Sequence, residues 1–393
     1  MSDPRTADLD LSTPHPDGAA SPEQPEHLAN DPAGDDAASA SLIVRYLPRL
    51  AAGVLLAVVV VSLLALASDV RQLGSALRAF DWWLALPVLA LTLGNYALRF
   101  AKWEVYLRRI GVPRLGLGTS AAIFLAGFSM SLTPGKVGEV VKGLLVRRVA
   151  GTPVSRTAAV IAAERITDGL AMLALAALGL TQFSYGRPIL AVAILGGIVA
   201  VVLLQRPHLL MPILTWSERL PLAKPLVSKV LSHAQHFLDA SNVLYRPGLL
   251  IGAVATGIVS WGLECVALFL VLIGLGLDAS WQLLLVASFV LSVSSVFGAL
   301  SMLPGGLGVA EASVAAMLLL LIDDPAMTSG VAAAATLLIR FATLWFGVLI
   351  GLVALAYVQR RPGFGRAGSA VPRGVGTAGE PSPHATVAHP GRS

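Results

Sequence analysis

The sequence predicts an all-α, polytopic membrane protein, and three observations predict it. The chain is 55% hydrophobic and 13% charged over 393 residues, with a mean hydropathy of +0.75, far from the roughly 25% charge of a soluble domain. Several apolar runs reach the ~20 residues that a helix needs to cross a bilayer. Finally, Ser131-Leu132-Thr133-Pro134-Gly135-Lys136-Val137-Gly138 recurs as Ser301-Met302-Leu303-Pro304-Gly305-Gly306-Leu307-Gly308, both S-x-x-P-G-x-x-G and both inside apolar sequence. Pro followed by two Gly breaks a helix. At membrane depth a break is tolerated only where the freed backbone is buried in protein or lines a cavity. Paired breaks in the two halves of a chain point to a transporter's binding site.

Six full spans are predicted, at about 47–68, 83–101, 157–180, 188–205, 247–276 and 328–357. Two further apolar blocks, 117–148 and 281–322, each contain one copy of the repeat. Each is either a broken span plus a short helix or a re-entrant pair, giving eight or so hydrophobic segments in total. Charge placement favours re-entrant pairs. With both termini cytoplasmic, Lys102, Arg108, Arg109, Arg114, Lys142, Arg147, Arg148 and Arg156 fall on the cytoplasmic side. Asp69, Asp81, Asp278, Asp323 and Asp324 fall on the other, with Arg71, Arg78 and Arg187. The first block then enters from the cytoplasm and the second from outside, an inverted repeat. A weaker echo follows each block, in Ala158–Arg165 and Ala333–Arg340.

The membrane domain spans 45–357. Residues 1–40, with nine acids against the single Arg5, read as a disordered tail. They lack the cationic start and apolar core of a cleavable signal peptide. Residues 359–393 read as a second, Gly- and Pro-rich disordered tail. Between them, 206–246 carries Leu226, Val230, Leu231, Phe237 and Leu238 at helical spacing, an amphipathic segment on the cytoplasmic membrane surface.

The single Cys265 excludes an internal disulfide framework and a zinc site built on Cys pairs. His233 and His236 stand at i, i+3 with Asp239 alone nearby, which suits a solvated face better than a metal. No metal and no cofactor are expected. The formal charge of +5 is small for this length, and its clustering in loops biases topology rather than suggesting nucleic acid. There is no H-E-x-x-H, G-x-S-x-G or Walker loop, so enzymatic activity is not expected.

Ionisable residues inside spans cost about 2.5–3.5 kcal/mol each on insertion scales, so each is a candidate functional group. After Pro134 and Gly135, Gly138 opens a short helix carrying Glu139 and Lys142, with Lys136 just before it. A half-helix N-terminus beside a lysine suits a phosphate or carboxylate. Glu139 opposes that charge, or caps the helix, or pairs with Lys136 or Arg165. The bland alternative is an interfacial turn with snorkelling lysines. Glu164, Arg165 and Asp168 share one helix, with Arg165 in reach of Asp168 at i, i+3. They form either a structural lock or part of an anionic head-group path. In the second block Pro304, Gly305, Gly306 and Gly308 precede Glu311. Arg340 has no local acid and needs a distant one, Glu311 or Glu264. Arg99 reads as a snorkelling residue at a span end, and Glu264 as a buried carboxyl or half of an ion pair.

Three runs carry a family resemblance. Leu132–Lys142 looks like the first signature of the lysylphosphatidylglycerol synthase transmembrane family, also called the flippase-like domain family. Ala163-Glu164-Arg165-Ile166-Thr167-Asp168 resembles its second signature, and Leu303–Ala312 its third, in the same order and spacing. The resemblance covers about 45–357 and implies a multi-pass protein of the cell membrane. Well-understood relatives fuse this domain to a cytosolic aminoacyltransferase domain and move aminoacylated phosphatidylglycerol between leaflets. Only a short tail follows residue 357, so a stand-alone member is expected and the synthase activity does not transfer. The expected function is translocation of an anionic phospholipid or lipid-linked head group, with membrane lipids as partners. The alternative is a membrane transferase or accessory subunit in lipid-linked sugar or cell-envelope assembly.

Overall fold

The computed structural model describes residues 51–63, 65, 66, 68–132, 140–180, 188, 191, 192, 195–197, 199 and 243–360. The predicted tails, the 206–246 segment and the 188–205 span therefore lie wholly or largely outside the described residues. So does the first motif from Thr133 to Glu139. Every regular element among the described residues is helical.

The chain runs through α1 (Ala51–Leu63) and α2 (Val70–Ala79). A 3-10 turn at Trp82–Leu84 then leads into α3 (Ala85–Arg109). The first block forms α4 (Leu117–Ser129) and α5 (Val140–Ala150), followed by α6 (Val154–Leu180). Then come α7 (Pro247–Gly274), α8 (Trp281–Leu300) and α9 (Val309–Leu321). Finally α10 (Ser329–Arg340) passes through a π turn, Phe341–Trp345, into α11 (Phe346–Arg360). Among the described residues, five stretches are long and apolar enough to cross a bilayer: 82–109, 247–274, 281–300, 304–321 and 329–358. The 27-residue α6 is also long enough, but it carries the charged group Glu164, Arg165 and Asp168. The protein is an all-α, multi-pass membrane protein.

Local chemistry sets the helix ends. Asp69 accepts from the Arg71 amide at 2.9 Å, Ser280 from the Leu283 amide at 3.1 Å and Thr328 from the Val331 amide at 3.3 Å. Each satisfies an amide that the first helical turn leaves unbonded. Helix α8 ends at Leu300; Met302 then takes a left-handed φ of 55°, and Gly305, Gly306 and Gly308 of the second motif follow with left-handed φ angles of 61°, 67° and 87°. Gly306 also has no room for a side chain, since a β-carbon there would sit 2.9 Å from the Gly298 α-carbon.

Charge and aromatic placement mark two ends of the molecule. Arg108 and Arg109 close α3, Arg147 and Arg148 close α5, and Arg360 closes α11. At the other end Asp69 and Asp81 precede α2 and the 3-10 turn, beside the exposed Trp82, Trp83 and Trp281, as in an interfacial aromatic belt. Backbone contacts tie this acidic end together, with the Asp81 amide donating to the Gly274 carbonyl at 2.9 Å and Ser329 Oγ to the Ser68 carbonyl at 3.2 Å.

The two broken blocks enter from opposite ends. The first starts after Arg114 and finishes at Arg147 and Arg148, and the second starts after Asp278 and finishes before Asp323 and Asp324. They are not equivalent in length. The 13 residues of α4 extend about 20 Å, short of the ~30 Å hydrocarbon core. The 20 residues of α8 would cross it alone, so the second block departs from a pair of equally short arms. The breaks nevertheless meet. Leu132 packs with Leu307, Ala57, Val60 and Val348 in one small apolar core, and a β-carbon on Gly305 would stand 3.3 Å from Leu132 Cδ2. Larger cores flank this meeting point, one around Leu275, Leu283 and Leu318 towards the acidic end and one around Leu107, Val146 and Val358 towards the basic end.

Candidate functional site

Beside the meeting point of the two breaks lies a cavity of about 340 Å³. Its walls carry Arg99 of α3, Arg165 and Asp168 of α6, Glu264 of α7, and Arg340 where α10 enters the π turn. Three guanidiniums against two carboxyls give the space a cationic bias. Ser131 of the first motif and Gly305 and Gly306 of the second complete its backbone lining.

Helical spacing delivers these groups. On α3, Asn95, Arg99 and Lys102 stand at i, i+4 and i+7, one polar stripe on an otherwise apolar helix. Asn95 Nδ2 donates to the Ser260 carbonyl at 2.8 Å, fixing α3 against α7. Lys102 Nζ lies 2.5 Å from Asp168 Oδ1, with both side chains 3% exposed. Asp168 Oδ2 stands 3.8 Å from Arg99 and 3.7 Å from Arg165. Both separations exceed direct hydrogen-bond distance and leave room for a bridging oxygen. Arg99 lies over the rings of Phe128 and Trp261, at 5.5 and 5.6 Å. Its Nε has no hydrogen-bond partner among the described residues, and neither do Trp261 Nε1 and Ser294 Oγ. These two donors line the cavity, and an unpaired buried donor is costly unless a water or ligand accepts from it. Glu264 is 4% exposed and makes no direct hydrogen bond or ion pair among the described residues.

At the second motif, Arg340 Nε binds Glu311 Oε1 at 2.5 Å, and Arg340 Nη2 donates to the Gly305 carbonyl at 2.8 Å. Glu311 Oε2 accepts from the Gly308 amide at 2.7 Å. One carboxylate thus caps α9 and anchors Arg340, and the left-handed glycines aim their backbone at the same guanidinium. The π turn that begins at Phe341 follows Arg340 directly, and such turns recur at functional sites.

The structure brings together Arg165, Asp168, Gly305, Gly306 and Arg340 around the cavity, with Gly308 and Glu311 behind Arg340. Of the two partners proposed for Arg340, Glu311 holds it. Pro304 sits in the 3-10 turn that ends the break. Lys142 and Glu164 lie elsewhere. Lys142 is 3% exposed and pairs with Glu164 at 2.8 Å. Its ammonium lies over Trp103 and Phe124 at 4.8 and 5.4 Å, and its stem fills the space beside Gly127, where a β-carbon would come within 2.7 Å. This lysine is part of a buried internal ion pair and not a charge in a loop. Pro134, Gly135, Lys136, Gly138 and Glu139 lie outside the described residues.

Three groups in or behind the cavity wall escape the sequence reading. Arg99 is not a snorkelling residue, because its side chain is 11% exposed and faces the cavity. Lys102 belongs to a buried ion pair rather than to a loop. Trp261 stands three residues before Glu264 on α7, and both line the cavity. The stripe Asn95, Arg99 and Lys102 is the signal that would have found the first two.

Comparison with known proteins agrees with this architecture. Two UPF0104 membrane proteins of Methanothermobacter thermautotrophicus are similar to the chain. One is 24% identical over 325 residues, covering 76% of this chain and 94% of the relative. The other is 24% identical over 293 residues, covering 70% and 83%. The family model described as the lysylphosphatidylglycerol synthase TM region matches residues 50–351. The chain belongs to the lysylphosphatidylglycerol synthase transmembrane family.

Proposed function

We propose that this protein translocates an anionic lipid head group between the leaflets of the cell membrane, with its basic end cytoplasmic. The observation that carries the reading is the cavity in which Arg99, Arg165 and Arg340 converge beside two helix breaks. A charge within a bilayer costs about 2.5–3.5 kcal/mol even on insertion scales. Arg99, whose Nε has no hydrogen-bond partner among the described residues, shares one cavity with Arg165 and Arg340, which suits an anionic guest. Asp168 holds two of them at 3.7–3.8 Å, a distance at which a phosphate oxygen can displace the carboxylate as partner. Trp261 Nε1 and Ser294 Oγ supply neutral donors. Glu264 supplies the counter-charge, or the site of a coupling proton, that lets the anion leave again. The guest is an anionic phospholipid or a lipid-linked head group.

Reconstitution into liposomes with fluorescent phosphatidylglycerol tests this. Wild type should equilibrate the label between leaflets faster than protein-free liposomes, and Arg99→Ala and Arg165→Ala should each slow it. Equal rates for wild type and both variants would remove the main support. Turnover of a lipid-linked sugar donor by the detergent-solubilised protein would instead make it a membrane transferase.

A further inference from the structure

A second space lies on the other side of Arg340. It is a groove of about 440 Å³ between α1, the start of α9, and the α10–π turn–α11 helix. Its lining is apolar, with Ala57, Val60 and Val61 facing Leu338, Phe341 and Trp345, and its charged residues are Glu311 and Arg340. Arg340 lines the polar cavity as well. The π turn divides the two spaces, presenting Thr343 and Leu344 to the cavity and Phe341 and Trp345 to the groove. Val61, Phe341 and Leu349 are 40%, 54% and 53% exposed on the outer, apolar surface of the molecule, where acyl chains are the surrounding solvent.

We propose that this groove seats an acyl chain of a phospholipid whose head group occupies the cavity. Lipid thus enters from the side, between α1 and the π turn, with its phosphate passing Arg340. The inference rests on the translocation reading and adds the route. A guest that fills both spaces must be anionic at one end and apolar at the other, which a membrane lipid is and a water-soluble anion is not. The placement of Arg340 fits this passage. Its Nε and one Nη2 hydrogen are held by a carboxylate and a carbonyl, and a guanidinium has five N–H donors, so a phosphate at the junction can be met by the other N–H groups while the Glu311 pair stays intact. A π turn carries one residue more than regular helix requires, so the wall can shift register at little cost in hydrogen bonds.

Photolabelling tests the groove without any substitution. Wild-type protein in nanodiscs of phosphatidylethanolamine and phosphatidylglycerol is irradiated with phosphatidylglycerol carrying a diazirine on its acyl chain. Labelled peptides are then mapped by mass spectrometry. Val61, Leu338 and Phe341 should be labelled about tenfold more than Leu86 and Val259, which face lipid elsewhere. Labelling of the groove no higher than at Leu86 and Val259 overturns the proposal. Val61→Trp fills the groove from an exposed position. It should bring labelling at Phe341 down to the reference level and slow lipid translocation about tenfold, with an unchanged melting temperature. Leu338→Trp should do the same from the opposite wall. If both variants fold and translocate like wild type, the lateral route is refuted while translocation stands. If the wild type labels selectively in the groove but moves no lipid, the lipid site is supported and the translocation reading fails.

Discussion

Glu164 and Asp168 stand one turn apart on α6, both buried, yet they build different things. Glu164 meets one cation, Lys142, at 2.8 Å, and aromatic rings close over the pair. Charge is balanced one to one and sealed, away from the cavity. Asp168 meets three cations, one directly at 2.5 Å and two at 3.7–3.8 Å, and it faces the cavity. Three cations gather at this one carboxylate, and Arg99, whose Nε has no hydrogen-bond partner among the described residues, faces the cavity. A sealed one-to-one pair makes a lock, and a cation cluster beside a cavity suits a binding site.

Five variants sharpen or break that contrast. The largest effect is expected at Asp168. Asp168→Ala leaves Lys102, Arg99 and Arg165 without their shared counter-charge, which should cost about 3–5 kcal/mol of stability in thermal unfolding and abolish translocation. Glu164→Gln alone should cost about 3 kcal/mol by leaving Lys142 unpaired. The double variant Lys142→Met/Glu164→Gln should recover most of that stability and keep translocation, since an apolar replacement of a buried pair is often neutral. If the double variant folds but moves no lipid, Lys142 contacts the substrate and the contrast is wrong. Arg99→Ala should change stability by about 1 kcal/mol, the scale of its ring contacts, while slowing translocation about tenfold. Arg108→Ala removes an exposed partner of Glu104. Its effect on stability should stay within about 0.5 kcal/mol, with an unchanged translocation rate.

The sequence carries the fold class, the paired breaks and the opposed charge at the ends of the two blocks, because these follow from local composition. It also carries the contacts that helical spacing or charge deficit dictates. Arg165 meets Asp168 at i, i+3, and the isolated Arg340 finds Glu311. Lys102 and Lys142 defeat the same reasoning. A lysine near a span end reads as a loop charge, and the partners that bury these two lie 66 and 22 residues away. Nothing local to Lys142 announces the aromatic box of Trp103 and Phe124. The unequal arms of the two blocks depend on where each helix stops. That was not legible from hydropathy, which counts apolar residues without locating the break relative to the bilayer.

The central claim is that the cation cluster around Asp168, and not the sealed pair at Glu164, handles the lipid head group. The most direct test compares Arg99→Ala with Lys142→Met/Glu164→Gln in one liposome assay, scored by translocation of fluorescent phosphatidylglycerol per folded molecule. The account predicts that Arg99→Ala slows translocation about tenfold while the double variant keeps at least half of the wild-type rate. Equal losses in both, or a larger loss in the double variant, would contradict it.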